Sequence, residues 1–443
     1  MIILAAHAIR VTIYSGMINQ TSITLHLPYG DREIPFKLPS RNFLGVISPN
    51  QAEPCADPLA ELHRALINPI GAPPLAQAAC RAKKVVIVAD DLTRQTPVSL
   101  MIPLLLDELN QAGVRDGQVQ VVIALGTHRS MTRDEIQARF SQQVLERVIL
   151  LNNPWQDPSQ MVDLGSTPNG TPIQISKPIL EADYVIGLGS IVPHHIPGFS
   201  GGAKIIQPGV SGAATTGATH YLSTRAPRSY LGCLENPVRA EMETIAEQAG
   251  LRAIFNSVLD SQGRLVGAFF GETHLAHRAG VALASQVYGV PVHQTADIVV
   301  AGSHPCDLEF WQAHKALYPS DLALRRGGTI ILVTPCPEGV SVMHPEMLDF
   351  AALDAAQIDS AIHSGAIDDL VAGALALAWA RIRQRAAISL VSHGISDEQA
   401  RALGFTPFAN LEDALQAAFT RHGRQASLLV LPYAPETLPI TKA

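Results

Sequence analysis

Residues 85–97 read VVIVADDLTRQTP: five apolar residues without alternation, then a polar cluster closed by proline. An uninterrupted apolar run of this length is the pattern of a strand covered on both faces, as in parallel sheets. The pattern recurs. VVIALGTHRSMT (121–132) and YVIGLGSIVPHH (184–195) also pass from an apolar run into polar residues, and Ile298–Ala301, Thr329–Val333, Ile388–Val391 and Leu428–Leu431 read as further strands. Longer Ala/Leu/Glu-rich segments lie between them. The expected fold class is therefore α/β, with mainly parallel sheets flanked by helices. Ligands of open α/β sheets bind beyond the carboxyl ends of the strands, so the clusters after the three early strands are expected to converge. The same rule applies to GSHPCDLEFWQAHKALYP (302–319), which follows Ile298–Ala301.

A chain of 443 residues exceeds the roughly 250–300 residues at which single cores stop growing. Two domains are expected, divided near YGVPVHQTAD (288–297), where Gly and Pro interrupt a helical pattern. Residues 1–290 form the first, cofactor-binding and catalytic domain; residues 291–443 form a second α/β domain contributing substrate-side residues, with the active site in the cleft between them. SITLHLPYGDREIPFKLP (22–39) alternates like an antiparallel edge hairpin, and residues 1–20 read as an extension before it.

Composition excludes several classes. A formal charge of −7 without a polybasic run argues against nucleic acid. No run reaches the ~18 apolar residues of a membrane span, and the apolar N-terminus lacks a basic leader. Five cysteines without CxxC spacing point to neither a disulfide framework nor a zinc knuckle. A cytoplasmic protein is expected. GLGS (187–190) lacks the third glycine of a dinucleotide fingerprint, Val192 standing in its place, and there is no GxxxxGK[ST] and no GxSxG.

The densest chemistry lies in IVPHHIPGFSGGAKIIQPG (191–209), with two histidines, a glycine-rich turn and Lys204. Clustered glycine suits sharp bends or close approach to a ligand. Lys204 reads as a phosphate partner, a nucleophile or a cofactor attachment point. His128 and His194 each lie just past a strand and suit paired acid/base work, since imidazole titrates near neutrality; a structural role is the plainer alternative for a lone histidine such as His128. His195 reads as a packing partner. His220, after the Gly209–Gly212 turn, is either a metal ligand or an ordinary helix histidine. Asp91 with Thr93 and Pro97 makes a plausible helix cap, whereas Arg94 offers a fork for carboxylate or phosphate. Gln312 and Lys315, spaced i, i+3 beside Trp311, share one helix face and suggest a pocket wall.

Together DDLTR (90–94), GTHR (126–129), PHHIPGFSGGAK (193–204), His220 and WQAHK (311–315) resemble the LarA family of nickel-pincer lactate racemases and related 2-hydroxyacid racemases and epimerases. The resemblance covers most of the chain, with the motifs in order. It implies a nickel-pincer nucleotide (pyridinium-3-thioamide-5-thiocarboxylate mononucleotide nickel), installed by pincer biosynthesis enzymes, joined covalently to Lys204, with His220 on nickel and Asp91, Thr93, Gly201 and Gly202 around it. It implies His128 and His194 as the acid/base pair, and Arg94, Trp311, Gln312 and Lys315 as contacts for a small 2-hydroxy acid inverted at C2 by hydride transfer. Trp311 stands where the lactate enzymes are expected to carry tyrosine, which leaves the substrate open among 2-hydroxy acids. Other classes carried by the same residues are a metal-dependent hydrolase, an NAD-dependent 2-hydroxyacid dehydrogenase and a catalytically silent binding protein.

Overall fold

Val85, Val86, Ile87, Val88 and Ala89 are each wholly buried, as expected for a strand covered on both faces. They form the strand Val85–Asp90. The computed structural model describes residues 3–4, 11–14 and 22–441, in two compact units: Ala52–Ala226 with Gly232–Val287, and Met1–Gln51 with Pro227–Leu231 and Tyr288–Ala443.

The first of these units is built on a six-stranded sheet in the order Leu265–Gly271, Leu251–Leu259, Tyr184–Ser190, Val85–Asp90, Val119–Ala124, Ile149–Asn152. Its strands are parallel except for the edge pair Leu251–Leu259 and Leu265–Gly271. From Val85–Asp90 the chain steps outward to one edge, then returns to the other side of the same strand with Tyr184–Ser190. The order therefore reverses between those two strands, which opens a crevice at their carboxyl ends. Helix Val98–Gln111 covers one face by burying Val98, Met101, Ile102, Leu105, Leu106 and Leu109, an apolar stripe at helical period.

The second unit carries a parallel sheet in the order Thr406–Phe408, Ala387–Val391, Leu324–Val333, Ala296–Gly302, Leu428–Leu431, Phe43–Val46. The alternating stretch forms the expected hairpin, Ser22–Tyr29 paired antiparallel with Arg32–Pro39. Leu25, Leu27 and Tyr29 on its inner face pack with Ile298, Val300, Ile331 and Val333 of the parallel sheet. The units thus part near residue 288, but residues up to Gln51 belong with the C-terminal half and not with residues 52–287. The physical reason is the pairing of Phe43–Val46 with Leu428–Leu431 and the burial of the hairpin's apolar side. The stretch read as an N-terminal extension lies largely outside the described residues, apart from Ile3–Leu4 and Val11–Tyr14, whose backbones pair into the hairpin's sheet.

Candidate active site

Three strand ends meet in a buried polar network at the crevice. Thr96 Oγ1 donates to Asp90 Oδ2 at 2.5 Å and lies 2.7 Å from Ser190 Oγ, which is 2.8 Å from Ser257 Oγ. Arg139 Nη2 donates to Asp90 Oδ1 at 2.5 Å. Burial nevertheless pushes the Asp90 carboxyl up, Arg139 only partly offsetting it. This network holds Val85–Asp90, Tyr184–Ser190 and Leu251–Leu259 in fixed register, so side chains just beyond them inherit defined positions.

Asp91 is the first of these. Its Oδ2 lies 2.6 Å from His128 Nδ1, while Oδ1 accepts from Thr93 N at 3.0 Å and Thr93 Oγ1 at 2.5 Å. It does not cap a helix: Val98–Gln111 begins at an N-cap, Pro97, without a side-chain bond. Burial alone would raise the Asp91 carboxyl, but the His128 charge and hydrogen bond, then Arg94 and Thr93, outweigh burial and hold it well below the usual range. A carboxylate only accepts, so Nδ1 of His128 carries the proton and the lone pair of the neutral ring is on Nε2. Trp155 Nε1 donates to His128 O at 2.9 Å and fixes the backbone beneath the ring. Arg94 Nη1 donates to Thr93 Oγ1 at 2.9 Å, which ties the guanidinium to the same cluster.

His194 lies in a short ribbon, Pro193–His194 against Gly198–Phe199. Ile196 N donates to His194 Nδ1 at 3.2 Å, so the neutral ring carries its proton on Nε2, the reverse of His128. His195 stacks on it with centroids 4.7 Å apart and planes 16° from parallel. The strands preceding His128 and His194 flank Val85–Asp90 on opposite sides, so their ends are about 10 Å apart at ordinary inter-strand spacing. The strands that lead to His128 and His194 thus lie on either side of the strand that leads to Asp91 and Arg94.

The glycine-rich turn is more enclosed than its sequence suggests. A Cβ on Gly201 would lie 2.7 Å from Ile191 Cγ1 and 2.9 Å from Asn256 Oδ1; one on Gly202 would lie 2.8 Å from His277 Cδ2. Both residues also have positive φ, 73° and 58°. Glycine is thus required here by the protein's own packing. Gly202 N donates to Asn256 Oδ1 at 2.8 Å. Arg239 donates to Phe199 O, and to Gly201 O at 3.3 Å; His277 Nε2 bonds Ser200 O at 2.9 Å. Lys204 follows in the 3-10 turn Gly202–Ile205, half-buried. The glycines of GLGS lie within the strand Tyr184–Ser190, where a Cβ on Gly187 would meet Ile205 Cγ2 at 2.4 Å; they seat the lysine turn on the sheet.

His220 lies in helix Ala213–Ser223 with Nδ1 2.8 Å from Thr216 O. The carbonyl only accepts, so the lone pair of the neutral ring is on Nε2, the form that ligates a metal. Gln207 Nε2 donates to Thr219 Oγ1 at 2.6 Å and Thr215 O at 3.3 Å, joining the Lys204 segment to this helix.

In the other unit, Trp311 and Gln312 lie in the single helical turn Phe310–Ala313 and Lys315 in the 3-10 turn His314–Ala316. Lys315 Nζ donates to Gln312 Oε1, so the expected shared face is real. Trp311 stacks on His344 at 3.9 Å between centroids, and His344 Nδ1 bonds Asp369 Oδ2.

Two family models match the chain: the lactate racemase N-terminal domain over residues 29–232 and the lactate racemase C-terminal domain over residues 292–434. The lactate racemase of Thermoanaerobacterium thermosaccharolyticum is 33% identical over 321 residues, 71% of this chain and 75% of that one. The chain belongs to the lactate racemase family. The lactate racemase of Lactiplantibacillus plantarum is 28% identical over 422 residues, 93% of this chain and 98% of its own. The solved lactate racemase apoprotein of T. thermosaccharolyticum superposes with a TM-score of 0.83 at 29% identity, covering 94% of this chain and 100% of that one. A Thermotoga maritima crystal structure shares the fold at a TM-score of 0.70 and 18% identity, covering 89% and 100%. The protein is accordingly an isomerase of the racemase type. Among the described residues no helix is long and apolar enough to cross a membrane.

Reading the sequence passed over Asn256, Arg239 and His277. Asn256 lies inside a strand, and Arg239 and His277 lie in amphipathic helices, where polar residues ordinarily face water. Their burial, 1% exposure for each, was not encoded in any local pattern.

Proposed function

We propose that this protein inverts C2 of a small, lactate-like 2-hydroxy acid, using His128 and His194 as the acid/base pair and a nickel-pincer nucleotide joined to Lys204. The observation that carries the reading is the Asp91–His128 contact of 2.6 Å at the sheet's reversal point, with His194 just past the end of the strand that flanks the other side.

The residues present suit such a group. Lys204 is a half-buried amine on a rigid turn, and the Thr216 bond leaves His220 in the form that offers Nε2 to a metal. When bound, the group supplies a reversible hydride acceptor, which turns a very weakly acidic C2–H into an achievable transfer. The rest falls to side chains. Nε2 of His128 takes the hydroxyl proton of one enantiomer as C2 loses hydride, leaving a planar 2-keto acid. When hydride returns to the other face, a protonated His194 gives its own proton to the C2 oxygen and His128 loses the one it took to solvent; the opposite enantiomer runs the same steps with the two rings exchanged. Asp91, held ionised, keeps the His128 ring in the required tautomer and stabilises its protonated form. Arg94 anchors the substrate carboxylate through its planar fork while C2 reorients; the family resemblance assigns Gln312, Lys315 and Trp311 a substrate role as well.

The test is protein co-produced with pincer biosynthesis enzymes, alongside a known family member as maturation control, offered single enantiomers of a panel of 2-hydroxy acids. Formation of the opposite enantiomer by chiral chromatography, together with an added mass on Lys204, is the expected result. A matured control beside an unmodified, inactive wild type would refute the reading.

A further inference from the structure

Three consecutive carbonyls, Phe199, Ser200 and Gly201, are each bonded by a buried side chain from a helix later in the chain. Arg239 spans the outer two, and His277 takes the middle one. The last of these peptides is also held at its other end, Gly202 N donating to Asn256 Oδ1, whose Nδ2 donates in turn to Gly189 O at 3.1 Å. Every peptide group from Phe199 to Gly202 is therefore held by a side chain, the last at both its ends, and Lys204 is two residues further on.

Arg239 is unusual for a buried arginine. It is 1% exposed, yet among the described residues its hydrogen bonds go to main-chain carbonyls and not to a carboxylate, and its Nε has no hydrogen-bond partner. Burial lowers the guanidinium to about 10, so it stays charged at neutral pH. His277 is the complement. Burial, and then the Arg239 charge, hold its imidazole well below the usual range; it bonds Ser200 O as a neutral donor, and its Nδ1 is buried without a partner. A buried charge hydrogen-bonded only to carbonyls is costly, and ordinary turn stability is obtainable from neutral groups. Its location at the turn that carries the lysine points to a requirement for rigidity there.

We infer that Arg239 and His277 are a positioning pair that locks the turn Phe199–Gly202 so that Lys204 is presented in one orientation for attachment of the cofactor. The inference rests on the proposed attachment at Lys204. Neither residue touches the reacting atoms; both act through the backbone.

Arg239→Met, Arg239→Lys, His277→Leu and His277→Gln are each co-produced with the pincer enzymes, and the modified fraction is read by intact mass. Misplacing a reacting group by about 1 Å can cost up to 10²-fold, so Arg239→Met and His277→Leu are expected to lower attachment by about tenfold or more. The donor-retaining Lys and Gln variants should recover much of it. On unloaded protein, acetylation of Lys204 relative to the exposed Lys83 reads the turn directly and should rise several-fold in the Met and Leu variants. If Arg239→Met does not fold, the His277 pair and the Lys variant carry the test alone. Wild-type attachment with equal attachment and equal Lys204 labelling in the donor-less variants overturns this inference; absence of attachment in the wild type beside a matured control overturns the proposed function instead.

Discussion

Asp91 Oδ2 lies 2.6 Å from His128 Nδ1, and this one contact fixes both the charge and the tautomer of the site. Replacing Asp91 with Asn keeps the shape but offers an amide that can donate to Nδ1, which moves the lone pair away from Nε2. Asp91→Asn is expected to lower kcat by about 10²-fold or more, with a smaller change in KM. Initial-rate kinetics on loaded enzyme check this; an unchanged kcat would remove Asp91 from the mechanism.

The same carboxylate links stability to pH. Its pKa in the folded protein is depressed, so its contribution is complete above the ordinary value of about 3.9 and is lost as pH falls from there through the folded value. Asp91→Asn lacks this contribution. Urea denaturation should show the variant less stable than wild type at neutral pH, with the gap narrowing at about pH 3, below the unfolded pKa. A gap that widens on acidification would show that Asp91 is not held ionised.

Assigning His128 to one enantiomer and His194 to the other makes the two halves of the reaction separable. His128→Ala and His194→Ala should each slow racemisation by about 10²-fold or more. In single-turnover experiments each should spare keto-acid formation from one enantiomer, and the spared enantiomers should differ. His195→Ala, which removes the stacked neighbour, should cost less. Full loss in His195→Ala with near-normal His194→Ala would exchange their roles.

Lys204 and His220 have separable signatures. Lys204→Ala should abolish the added mass altogether, whereas His220→Ala should permit attachment but release nickel to a chelator under conditions where the wild type keeps it. Intact mass and metal analysis on the same samples decide this. Nickel retained equally by both proteins would reassign the ligand.

Lys315→Met removes the charge that reaches Gln312 Oε1. A loss confined to substrate handling predicts a KM raised roughly tenfold, the scale of one hydrogen bond to a charged group, without loss of Lys204 modification. An unchanged KM across the substrate panel would remove Lys315 from substrate binding.

Much of this arrangement was legible before any coordinates because parallel strands advertise themselves. Val85–Asp90, Val119–Ala124 and Tyr184–Ser190 are runs that end in polar clusters, and the crevice rule anticipates the Asp91–His128 contact at two neighbouring strand ends. The N-terminal contribution to the second sheet was not legible: Phe43–Val46 is four residues long, and its partner Leu428–Leu431 is nearly the whole chain away. Of the two roles the sequence leaves open for Asp91, the helix cap does not form, because a short polar side chain before a helix serves equally well in a local turn, here with Thr93. The glycines of SGGAK were read as room for a ligand, whereas Ile191, Asn256 and His277 already occupy their open faces. Only tertiary packing reveals that.

The most direct test of the central claim follows the hydrogen at C2. Loaded enzyme is given one enantiomer of an accepted 2-hydroxy acid deuterated at C2, in ordinary water, and the inverted product is analysed by mass spectrometry. Hydride transfer with the proton work left to His128 and His194 predicts that the opposite enantiomer keeps its deuterium. Product carrying solvent hydrogen at C2 would instead show direct proton abstraction and contradict the account.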